Sequence, residues 1–137
     1  MLFDPEIAKK QQKTAVDSVI ERCGLADVSK RLIANLSKGF QQRVGIAQAI
    51  IHSPAVVILD EPTSGLDPIQ IREIRQLIRD IANEHSVILS THILPEVQML
   101  CDRVQIISKG QLLFNDSLQK LTEQMQSTAI VVGFSQS

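Results

Sequence analysis

The sequence predicts an α/β fold with parallel strands at its centre, and three observations carry that expectation. Two short apolar runs, Ala55–Leu59 (AVVIL) and Ser86–Ser90 (SVILS), have the length and composition of strands. Between them, Ile71, Ile74, Ile78 and Ile81 recur at helical spacing. The order strand, helix, strand, helix, strand then calls for crossover connections and a parallel layer.

The elements follow in order. Residues 5–23 read as a helix, with Val16, Val19, Ile20 and Cys23 on one face and Gly24 as the stop. Residues 25–36 are a turn with one helical piece around Arg31–Asn35. Ser37 is placed as the N-cap of a helix over Lys38–His52, whose apolar face holds Val44, Ala47, Ile50 and Ile51. Ser53 and Pro54 end it. The unbroken AVVIL run suits a strand buried on both faces, closed by Asp60, Glu61 and Pro62. Asp67 followed by Pro68 is an N-cap with proline at the first helical position, and that helix runs to about Asn83. A brief helix over Pro95–Cys101 leads to a strand at Val104–Ser108. A Lys109–Gly110 turn, a strand at Gln111–Phe114, a helix at Ser117–Met125 and a strand at Thr128–Phe134 complete the reading.

Composition narrows the function classes. With 44% hydrophobic and 21% charged residues, the chain is globular rather than disordered. A net charge of −1 from 14 basic and 15 acidic residues gives no electrostatic footprint for nucleic acid, so no nucleic-acid partner is expected. No apolar run reaches the length of a membrane span, and MLFDPEIAKKQQK does not read as a signal peptide. Cys23 and Cys101 both fall on apolar helical positions and are expected to be buried free thiols.

The chemistry starts at VVILDEP, positions 56–62. A buried strand delivers Asp60 and Glu61 to its carboxyl end, where open α/β sheets bind ligands. A carboxylate there can hold Mg²⁺, and a neighbouring one can orient or deprotonate a water. Around it stand LSKGFQQR at 36–43, TSGLD at 63–67 and STH at 90–92. In that order and spacing, the chain resembles the ABC transporter ATPases. Their sequence of motifs is the signature, the Walker B strand with its catalytic glutamate, the D-loop and the switch histidine. The resemblance covers essentially the whole chain and is strongest to cassettes of the drug, lipid and polysaccharide exporter type.

It implies a partial P-loop NTPase fold: a helical subdomain at 1–53 with the signature motif, the later part of the ATPase core at 54–116, and a C-terminal helix/strand extension at 117–137, with a small β-hairpin and helix towards the C-terminus. It implies ATP and Mg²⁺ as cofactors. Asp60 becomes the metal-side carboxylate, Glu61 the base for hydrolysis and His92 the switch histidine that meets the γ-phosphate. Ser37, Lys38 and Gly39 become the signature end that meets nucleotide held by an opposing cassette. A helix N-terminus suits that task because its free N–H groups and dipole attract anions. Asp67 belongs to the D-loop at the interface between cassettes, a role compatible with N-capping. The signature departs from the commonest form, LSGGQ, with Lys38 for the first glycine and Phe40 for the glutamine. Lys38 either adds charge near a phosphate or extends into solvent. His52 and His85 have no motif around them and read as surface residues.

The resemblance further implies two partners, a membrane permease subunit and a second ATP-binding cassette, with the chain peripheral on the cytoplasmic face of the inner or plasma membrane. No G-x-x-x-x-G-K-[S/T] phosphate loop occurs; the glycines stand at 24, 39, 45, 65, 110 and 133. These residues are therefore expected to form the later portion of a cassette and to hydrolyse ATP poorly or not at all alone. Two other readings are a soluble, non-transport ABC ATPase of DNA repair or translation, and a non-catalytic remnant that only binds a partner.

Overall fold

The computed structural model describes residues 5–129 and divides into two compact units, one ending at Ser90 and the other beginning at Thr91.

The first unit begins with helix α1, Pro5–Arg22. Its inward side near the C-terminus is formed by Val19 and by Cys23 just beyond the helix, while Val16 is exposed. Gly24 takes φ +64°, a conformation that costs a side-chain-bearing residue more, and so turns the chain away. Two 3₁₀ turns, Ala26–Val28 and Ile33–Asn35, lead into α2, Lys38–Ile50. Ser37 caps α2 by accepting a hydrogen bond from the Phe40 amide at 3.3 Å. The buried face of α2 is Gly39, Ile46, Ala47 and Ile50. Val44 and Ile51, expected inside, are half-buried.

Strand β1, Val56–Asp60, pairs in parallel with β2, Ser86–Ser90, in the register Val56 with Ser86 through Asp60 with Ser90. Helix α3, Pro68–Ile81, makes the crossover. Asp67 caps it, its carboxylate accepting from the Ile69 and Gln70 amides at 3.0 and 2.9 Å. Ile74, Leu77, Ile78 and Ile81 are buried, so the isoleucine stripe is core packing, with Leu77 added and Ile71 half-buried.

The expectation that β1 is buried on both faces is overturned. Val57 and Leu59 are buried, but Val56 is 48% and Ile58 73% exposed, with Ile88 of β2 also exposed. The physical reason is the size of the sheet: a two-stranded pair covered by helices on one side leaves its other face open, and no described strand extends it.

His85 is likewise not a surface residue. It is buried, and its Nδ1–H donates to the Pro54 carbonyl at 2.6 Å, tying the turn before β2 to the turn before β1. Its Nε2 is buried without a hydrogen-bond partner among the described residues.

The second unit holds α4, Leu94–Leu100, β3, Arg103–Ser108, β4, Gln111–Ser117, and α5, Leu118–Ala129. The β3 and β4 strands form an antiparallel hairpin turned by Lys109 and Gly110, both at positive φ. The strand foreseen at Val104–Ser108 therefore pairs with its successor and not with β2. Val104 and Leu121 are buried. Lys120 donates to the Asp116 carboxylate at 2.9 Å, and this bond together with the Ser117 amide holds the carboxyl below the usual aspartate range. The strand foreseen at Thr128–Phe134 gives way to helix at Thr128 and Ala129, and its remainder lies outside the described residues.

Both cysteines are free thiols. Cys23 is fully buried, and burial pushes its thiol pKa up. Cys101, expected to be buried, is only half-buried, because it follows the last turn of α4 in extended conformation. Among the described residues no helix is long and apolar enough to cross a membrane.

Candidate functional site

The motif residues of the first unit fall into two groups. The first joins the N-terminus of α2 to the loop before α3. A methyl group placed on Gly39 would come within 2.8 Å of the Gln70 side-chain amide, so that amide of α3 lies against the bare backbone of α2 and would have to move to admit a side chain there. A methyl on Gly65 would overlap the Lys38 ammonium, which lies directly over that glycine; Gly65 also takes φ +70°. Lys38 is exposed, with its ammonium lying against Gly65 of TSGLD. Ser37 and Asp67 cap the two helices of this group.

Arg43 locks it from behind. Its guanidinium donates to the Cys23 carbonyl at 3.1 Å and to Glu73 on α3 at 2.8 Å, and sits 5.7 Å from the Phe40 ring. Phe40 therefore helps to seat Arg43, a role its place in the motif did not announce.

The second group is at the end of β1. Asp60 is exposed and Glu61 half-buried. Glu61 takes φ +46°, the left-handed region that disfavours residues with a side chain. Its amide donates to the Ser90 hydroxyl at 3.0 Å and to the Ser90 carbonyl at 3.1 Å, while the Ser90 hydroxyl donates to Asp60 Oδ1. The chain then turns immediately, with Ser64 N donating to the Glu61 carbonyl at 3.1 Å, so the D-loop leaves directly from the carboxylate pair. Ser90 stands in STH at 90–92, but sequence reasoning assigns it no role; the parallel register that sets it beside Asp60 supplies one.

His92 belongs to the second unit. It is exposed, in the turn before α4. Thr91 beside it donates to the buried Glu96 carboxylate at 2.9 Å and accepts from the Ile93 amide at 3.1 Å, which fixes the backbone on both sides of His92.

No three His, Cys, Asp or Glu side chains among the described residues gather into a metal cluster. The donor set nevertheless fits Mg²⁺ bound with nucleotide, since that ion takes one or two carboxylates and fills its shell with phosphate and water. Asp60 is an exposed carboxylate at the carboxyl end of β1.

Known proteins resemble this chain in sequence and in fold. The profile of the family described as ABC transporter matches residues 2–64. The bacitracin transport ATP-binding protein BcrA of Bacillus licheniformis is 45% identical over 115 residues, covering 82% of this chain and 38% of that protein. The ABC transporter ATP-binding protein NatA of Bacillus subtilis is 38% identical over 116 residues, covering 84% and 47%. This chain thus spans less than half the length of these relatives. Among solved structures, cbiO1 from Clostridium perfringens, part of the ABC transporter complex cbiONQ, superposes with a TM-score of 0.75 at 28% identity, over 96% of this chain and 51% of that one. A nucleotide-free ATP-binding cassette from an ABC transporter reaches 0.77 at 17% identity, over 91% and 51%, which speaks for the fold alone.

Proposed function

We propose, on the premise that this chain belongs to the ABC transporter ATP-binding family as a partial cassette, that it supplies the signature, Walker B, D-loop and switch residues of an ATPase that drives export through a membrane permease. The observation that carries this reading is the carboxyl end of β1, where Asp60 and Glu61 are presented together and the chain turns at once into a D-loop packed on the signature helix. Export, rather than import, rests on the exporter-type character of LSKGFQQR and the segment 92–114.

Asp60 is the metal-side carboxylate. Bound Mg²⁺ would neutralise charge on the phosphates. Glu61, set by its backbone at the strand's end, accepts a proton from the attacking water. His92, held between the Thr91 and Ile93 anchors, offers its ring to a phosphate oxygen. Ser37 and the first amides of α2 face nucleotide carried by an opposing cassette. A second cassette and a permease are the partners, and the chain is peripheral on the cytoplasmic membrane face. Residues 1–53 act as the helical subdomain, 54–116 as the core and 117–137 as an extension.

With no phosphate loop among these 137 residues, the isolated chain is expected to show no appreciable Mg-ATP turnover. A chimera placing the preceding portion of the bacitracin relative ahead of this chain is expected to hydrolyse ATP, and Glu61→Gln in it to cut turnover by about 100-fold or more. Substantial hydrolysis by the isolated chain would refute its incompleteness. An active chimera indifferent to Glu61→Gln would refute the assignment of the base.

A further inference from the structure

Ser90 is the last residue of β2 and the register partner of Asp60. In a parallel pair, residues at matching register lie on the same side of the sheet, so the Ser90 hydroxyl is directed along the end of β1. A hydroxyl has one proton and two lone pairs. Here the proton goes to Asp60 Oδ1, and a lone pair receives the Glu61 amide at 3.0 Å. The Ser90 carbonyl accepts from that same amide at 3.1 Å. One residue therefore orients the carboxylate plane of Asp60 and anchors Glu61 at a backbone conformation, φ +46°, that its side chain disfavours.

We propose that Ser90 is a positioning residue for the Asp60–Glu61 pair: it takes Oδ1 of Asp60, leaves cation contact to Oδ2, and fixes the direction in which Glu61 leaves the strand. The proposal rests on the reading of Asp60 as the metal-side carboxylate. Alanine at 90 removes both side-chain bonds while keeping the carbonyl. Threonine keeps both and suits a strand.

The experiment uses the full 137-residue chain and Mn²⁺ alone as the probe. Free Mn²⁺ is followed by electron paramagnetic resonance, and amide hydrogen exchange by NMR, in the wild type, Ser90→Ala, Ser90→Thr and Asp60→Asn. Ser90→Ala is expected to weaken Mn²⁺ binding by about tenfold or more, as loss of a group that orients a metal ligand does. It is also expected to speed exchange of the Glu61 amide while the other β1 and β2 amides keep their protection. Ser90→Thr is expected to restore both.

Wild-type Mn²⁺ affinity and Glu61 exchange in Ser90→Ala would overturn the proposal. So would faster exchange along the whole strand pair, which would make Ser90 a support of the sheet and nothing more. Asp60→Asn separates this inference from the reading beneath it. If Asp60→Asn loses Mn²⁺ and Ser90→Ala does not, Ser90 is excluded and the reading of Asp60 stands. If Asp60→Asn binds as the wild type, Mn²⁺ alone does not engage Asp60, and the local Glu61 exchange decides whether Ser90 positions the pair.

Discussion

The signature and D-loop are held by two helices packed on one another, whereas Asp60 and Glu61 hang on a hydroxyl and a carbonyl of the neighbouring strand. In the first group, contact is close enough that Gly39 and Gly65 leave no room for a methyl beside Gln70 and Lys38. The Arg43 guanidinium joins the end of α1 to α3 through Cys23 and Glu73. In the second, the carboxylates sit at the rim of a sheet whose open face exposes Val56 and Ile58. The first group is held by side chains packed between helices. The second is tied to the neighbouring strand through Ser90.

The contrast predicts unequal responses to mutation, the largest in the packed core beneath the first group. Ile74 on α3 is fully buried, and Ile74→Ala is expected to cost about 3 kcal/mol in urea unfolding. Arg43→Ala comes next. Its side chain is only 18% exposed, and losing a charged donor to a carbonyl and a carboxylate is expected to cost about 2 kcal/mol. Glu73→Ala removes the same ion pair from its exposed side, with Glu73 at 52% exposure, and is expected to cost less than about 1 kcal/mol. Equal costs for the two would mean that the guanidinium acts through Glu73 alone, and the link to Cys23 would lose its importance.

The caps should fall below Ile74 and Arg43 and near Glu73. Asp67 accepts two amide bonds and Ser37 one, so Asp67→Ala is expected to cost about 1 kcal/mol and Ser37→Ala somewhat less. A larger loss for Ser37 would show that its hydroxyl does more in the isolated fold than cap α2.

The same division explains what could be read from sequence. Ser37, Asp67 and Pro68 announce helix starts because capping is local chemistry within three residues, and the structure places both caps there. The order of the motifs was legible because each lies at the end of an element. The cover over β1 was not, since an apolar run such as AVVIL records no difference between a face packed under helices and one left open. His85 was misread because its partner, the Pro54 carbonyl, lies 31 residues earlier in the chain. Ser90 was invisible for a similar reason: a serine at a strand's end acquires its partners only through the pairing register.

The smallest expected effect is also the one that opposes stability to chemistry most directly. Glu61 holds φ +46°, a conformation costing a side-chain-bearing residue about 1–2 kcal/mol. Glycine removes that cost but admits more freedom to the unfolded chain, which offsets up to about 1 kcal/mol of the gain. Glu61→Gly keeps the amide that donates to Ser90, so it is expected to stabilise the chain by about 0.5 kcal/mol in urea unfolding. In the chimera it is expected to abolish turnover as Glu61→Gln does. Stabilisation together with inactivity would identify Glu61 as a residue kept in an unfavourable backbone state for its carboxylate. Destabilisation would mean instead that the Glu61 side chain contributes to the fold, and that the left-handed turn is supported by more than Ser90.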